Sequence, residues 1–192
     1  MAMSFLGRGD RLRALSSALA HLAGAALGGA AIGLLIAFIG RSLPLEVRDV
    51  IAVCGLFLAL VLALRPGTRT IGLSRQVPRN WASWIPAEGG MFLWGMQLGF
   101  GVTTVIQYSS QLALLAAMVL LPVQEAAAAG AAFGFAREFP TFLAFMRRSR
   151  EPDRYMDLLE RWRHQTSGMN QAVTFAFVAV FAVGVVILGR LP

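Results

Sequence analysis

The chain carries 17 basic residues, every one an arginine, and their placement constrains the architecture more than any other feature. Between long apolar runs, segments 1–13, 65–88 and 147–169 hold 3, 4 and 6 of them. The alternate connections 41–49, 122–125 and 190–192 hold 2, 0 and 1. Arginine-rich connections that alternate with arginine-poor ones are the positive-inside pattern of a chain that crosses a bilayer repeatedly. The pattern predicts an all-α, polytopic helical membrane protein with its N-terminus in the cytoplasm.

Composition agrees. Apolar residues make up 57% and charged residues 14%, where a soluble domain carries roughly 25% charged residues to cover its surface. A net charge of +7 in a soluble protein would point to nucleic acid. Here the arginines flank apolar spans, so they read as topology determinants and no nucleic-acid partner is expected. Cys54, the only cysteine, lies in an apolar run. It has no second thiol for a disulfide or a redox relay and is expected to pack inside. Arg8, Arg11 and Arg13 precede the first apolar stretch as in a signal peptide. That stretch runs from about 14 to 40, beyond a signal core of roughly 7–15 residues, so it reads as a retained span.

A span needs roughly 20 apolar residues to cross a 30 Å core. That length yields five spans in a single domain over 1–192, at about 14–40, 47–64, 89–121, 126–146 and 170–189. The third is overlong. Two crossings within 33 residues would leave each too short, and would put the six arginines of 147–169 outside. One long span, tilted or broken, is expected instead. The lipid bilayer is the main partner, and the bacterial inner membrane the expected location.

Two cytoplasmic segments are patterned. Trp81 and Trp84, between Pro78 and Pro86, suit anchoring at headgroup level. Residues 152–165 predict an amphipathic interfacial helix, with Tyr155, Leu158, Leu159 and Trp162 at helical spacing on one face. The same face offers a docking surface for a cytosolic or membrane protein partner. Residues 14–69 and 89–152 also form a faint parallel repeat: a long glycine-rich span, a shorter span, then an arginine cluster.

Glycine pairs at four-residue spacing, Gly24/Gly28, Gly29/Gly33, Gly95/Gly99 and Gly130/Gly134, let helix backbones approach closely in lipid. Gly99-Phe100-Gly101, near the middle of the overlong span, permits a break whose freed backbone groups line a cavity. The glycine run of the first span occupies the corresponding place in the other half, as in carriers with paired interrupted helices. A polar stripe of Gln97, Thr104 and Gln111, with Tyr108 on the same face and Gln107 beside it, must face the bundle interior.

Arg137 and Glu138 are the sharpest feature, because they fall near the middle of the fourth span. Inserting one arginine there costs about 2.5–3.5 kcal/mol, and intramembrane charges mark function by default. Successive residues on a helix point about 100° apart, so these two are expected to find other partners. For Arg137 the candidates are the polar stripe or a ligand anion. Pro140 follows and removes a backbone donor. His21 and His164, the only histidines, belong to no metal or triad spacing, and helix packing is expected of His21. No catalytic motif occurs, so neither an enzyme nor a cofactor is expected.

GMQLGFGVTTV (95–105) and GAAFGFAREFP (130–140) resemble the DsbD/CcdA-type bacterial membrane proteins, neighbours of the LysE-type exporters. The resemblance covers residues 89–146, with an echo in 14–64, and implies a helical transport or relay scaffold. The redox members carry cysteines on their opening helices, which this chain lacks, so thiol electron transfer does not carry over. Two functions follow as expectations. The first is a carrier, or membrane subunit of a transport complex, for a small anionic solute, with Arg137, Glu138, Gln107, Thr104, Tyr108, Gln97 and Gln111 around it. The second is a non-transporting assembly subunit that docks partners through glycine-rich faces and helix 152–165.

Overall fold

Prolines and glycines punctuate the chain into helices. A computed structural model describes residues 11–64, 85–101, 109–147, 168, 170–180 and 183. Among these residues every regular element is helical: α1 Arg11–Arg41, α2 Leu45–Leu64, α3 Ala87–Phe100, α4 Ser109–Met118, α5 Val123–Arg147 and α6 Asn170–Val180. Pro44, Pro86 and Pro122 stand immediately before α2, α3 and α5. Each accepts through its carbonyl the first helical N–H, from Arg48, Gly90 and Ala126 respectively. Glu46, Glu88 and Glu125 occupy the first turns of those helices, where a carboxylate complements the positive end of the helix dipole.

α1 is the hub. It packs along α3 on one side and along α5 on the other. A Cβ added at Gly24 or Gly28 would strike the backbone of Phe92 and Met96 on α3; one added at Gly29 or Gly33 would strike that of Gly130 and Ala126 on α5. The reciprocal glycines behave alike: Gly95 and Gly99 lie against His21 and Ala25, and Gly130 and Gly134 against Gly29 and Ala25. All four glycine pairs therefore serve close contacts within the chain. Residue order gives direction. Facing positions rise together on α1 and α3, which are parallel. On α5 they fall from Gly134 through Gly130 to Ala126 as α1 climbs from Ala25 through Gly29 to Gly33, so α5 is antiparallel.

α4 joins this trio to a second group. On one side Met118 packs with Ala37 and Ala126. On the other, Ala113 and Ala116 pack with Leu56 and Ala59 of α2, and Phe177 and Val178 of α6 close over them. Asn170 fixes the start of α6: its Oδ1 accepts the Ser110 N–H and its Nδ2 donates to Ser109 Oγ, both at 3.0 Å. Gln171 Nε2 donates to the Ala63 carbonyl at the end of α2.

The overlong third span breaks where its glycines permit it: α3 stops at Phe100, Gly101 takes φ 69°, and its N–H turns back to the Leu98 carbonyl. Two other expectations change. α1 does not break with the third span. It runs unbroken from Arg11 to Arg41, and its glycines provide close approach in place of a paired interruption. Cys54 is exposed, because α2 turns Ala52, Leu56, Ala59 and Ala63 inward and Cys54 lies about 200° from Ala52.

α1 and α2 contain the stretches, Leu15–Arg41 and Leu45–Leu64, that are long and apolar enough to cross a membrane. Only 22% of the α2 stretch is buried. Its outer side presents Val50, Val53, Phe57 and Leu64.

Candidate functional site

One turn before the tightest part of the hub, the small-residue seam gives way to charge. His21 of α1 and Glu138 of α5 are 2% and 6% exposed and face each other at the next step of the ladder that pairs Ala25 with Gly134 and Gly29 with Gly130. The imidazole Nε2 lies 3.1 Å from Glu138 Oε2. Its Nδ1 lies 3.3 Å from the Met91 carbonyl of α3. The ring of Trp94 packs against the imidazole at 4.9 Å between centroids. Three helices thus converge on one histidine.

Arg137 closes the site. Its Nη1 donates to the Leu98 carbonyl at 3.2 Å, and its Nε lies 3.7 Å from Glu138 Oε1. Leu98 also accepts the Gly101 N–H, so the cation sits on the last turn of α3. There the unsatisfied carbonyls make the helix end negative. The two neighbours on α5 are partners after all. Their side chains leave the helix about 100° apart, but the long arginine stem carries Nε back beside the carboxylate. α5 continues through Pro140, whose missing N–H leaves the carbonyl one turn earlier without its helical donor.

Of the polar stripe, Gln97 is half-buried on α3 and Gln111 is 2% exposed on α4. The Gln111 side-chain amide lies against Gly101, where a Cβ would otherwise sit. Arg137 therefore reaches the backbone at the break, and Gln111 approaches the same break from α4. Thr104, Gln107 and Tyr108 lie outside the described residues, as do Trp81, Trp84, Tyr155, Leu158, Leu159 and Trp162. His21 is the site residue that sequence reasoning passed over. The available signal was its place four and eight residues before Ala25 and Gly29 on a small-residue face. No group of three or more His, Cys, Asp and Glu gathers among the described residues.

Chemically, the arrangement places an acid–base pair and a fixed cation at a helix break, shielded by three helices. Breaking a buried ion pair by removing one partner costs about 3–5 kcal/mol. A second pair links the helices nearer their start: Ser16 Oγ donates to Glu88 Oε1 at 3.3 Å. Comparison with models of protein families, with curated proteins and with solved structures finds no match to this chain.

Proposed function

We propose that the chain is an integral membrane protein of the bacterial inner membrane that carries a small, anionic solute, alone or as the membrane subunit of a transport complex. The observation that carries this reading is the buried His21–Glu138 pair with the partly buried Arg137 beside it, reaching the broken end of α3. Charges buried among apolar helices are expensive, and in membranes they mark solute paths and proton relays. In carriers the ends of broken helices line the site of the substrate or its coupling ion.

Membrane insertion is supported by the outer surface. Phe38 is 71% exposed and Phe57 66%, and the apolar stretches of α1 and α2 both have the length of a span. Large exposed apolar patches on a soluble monomer are rare. The helix directions are those a five-span path requires, and the arginine pattern is what would put the N-terminus inside. On that path the first and third spans run outward and the fourth returns, and α3 is parallel to α1 while α5 is antiparallel to it.

The test is anion flux in proteoliposomes, with chloride, phosphate and small carboxylates as probes. Arg137→Ala is expected to insert normally and lose flux; flux equal to wild type removes the carrier reading. The engagement of Arg137 by Leu98 and Glu138 favours a second reading, an assembly subunit in which the cluster is an ionic lock. Since the paired glycines serve contacts within the chain, docking then falls to segment 152–165 and the outward apolar side chains. Purification in mild detergent separates the two. A stoichiometric partner supports the subunit, and a chain isolated alone supports the carrier.

A further inference from the structure

The two contacts of His21 have a proton count that can be worked out. Nδ1 faces the Met91 carbonyl at 3.3 Å, and a carbonyl oxygen only accepts, so Nδ1 must carry a hydrogen. A neutral imidazole protonated at Nδ1 has a bare lone pair at Nε2. That lone pair faces Glu138 Oε2 at 3.1 Å, and an ionised carboxylate only accepts as well. Both contacts bind only if one more proton lies between Nε2 and Oε2. It belongs equally to an imidazolium–carboxylate or an imidazole–carboxylic acid pair, two descriptions of one bridge.

We infer that His21 and Glu138 form an exchangeable proton-binding site, filled by one proton from water and emptied by returning it. Emptying has a structural consequence. With Glu138 ionised and His21 neutral, the remaining hydrogen must move to Nε2 to meet the carboxylate, and the bond to Met91 on α3 is given up. Proton release and loosening of the α1–α3 contact are therefore one event. Among the described residues, Arg137 on α5 lies beside Oε1, Glu88 stands at the start of α3 bonded to Ser16, and Arg13 lies about two turns before His21 on α1.

Resting on the carrier reading, the same count names the coupling ion. With the bridging proton bound, Arg137, Glu138 and His21 together carry one positive charge; without it they carry none. A filled site draws one monovalent anion to Arg137, an empty site does not, and proton and anion cross together without net charge.

The site can be read directly because the chain has two histidines. His164→Gln leaves His21 as the sole signal in nitrogen NMR of 15N-histidine-labelled protein in lipid bilayers. On lowering the pH, His21 is expected to show a protonated Nδ1 together with a bridging proton at Nε2. On raising it, the hydrogen moves from Nδ1 to Nε2. A neutral ring protonated only at Nε2 at every pH overturns the inference. Glu138→Gln supplies the second arm. Its amide donates to Nε2 and is expected to hold the Nδ1-protonated neutral ring, abolishing the pH-driven switch. A switch identical to wild type in that variant also overturns the inference. These spectra do not depend on flux, so normal flux in Arg137→Ala would end the carrier reading and leave the proton site standing, and the converse holds.

Discussion

Gly29→Ala tests the packing on which the buried cluster depends. The new methyl would strike the Gly130 carbonyl oxygen, and would lie 2.8 Å from the Gly130 carbonyl carbon and 3.2 Å from the Gly134 nitrogen. Relaxed carbon–carbon contacts lie at about 3.5–4.0 Å, so α1 and α5 must part by roughly 1 Å. Every obstructing atom is backbone, so no side chain can rotate aside. Overpacking of this kind costs about 1–3 kcal/mol, and the rigid contact argues for the upper end. Replacing glycine within a helix returns at most about 1 kcal/mol of propensity. The net loss is about 2 kcal/mol, roughly a thirtyfold shift towards the unfolded state. Gly90→Ala is the matched control, because nothing lies within 4 Å of its added methyl. Unfolding equilibria in mixed detergent micelles are the assay. Gly29→Ala should unfold at lower denaturing detergent than wild type, and Gly90→Ala at the same or higher. Equal stability of the two variants would refute the close approach of α1 and α5.

Cys54 should react slowly with maleimides in intact bilayers and quickly after denaturation. Its helix neighbours Val50, Ile51, Phe57 and Leu58 are all exposed apolar residues, and lipid covering them would keep a water-borne reagent from the thiol. Fast labelling of the intact protein in water would refute a lipid-facing α2. Asn170→Ala removes two hydrogen bonds that tie α6 to the start of α4. At about 0.6 kcal/mol each in a membrane interior, roughly 1 kcal/mol is lost. Exchange of the Ser110 amide should rise about fivefold, and unchanged protection would refute that tie.

Local pattern was legible in the sequence; pairing across the chain was not. The four glycine pairs announce close contacts because their four-residue spacing is local, and each is found in one. Gly99-Phe100-Gly101 announces a break for the same reason, and α3 ends there. The partner of His21 lies 117 residues away, and a lone histidine with no nearby ligand reads as packing. Arg137 and Glu138 were legible as a buried charge but not as a pair, since helical geometry sets where side chains leave the backbone and not where a long one arrives. Cys54 shows the limit of hydropathy. In a uniformly apolar helix no periodicity distinguishes the face that meets protein from the face that meets lipid.

A seam of glycines and alanines repeating every four residues has a hazard of its own, since it fits nearly as well after slipping by one step. Sliding α5 about 6 Å along α1 would set Ala25 against Gly130 and Gly29 against Ala126, small on small again. Glu138 would then face Ser17, and His21 would face Gly134. The carboxylate would keep its burial and forfeit its imidazole. A single polar rung is thus what tells otherwise interchangeable alignments apart, much as one buried asparagine sets the phase of a coiled coil.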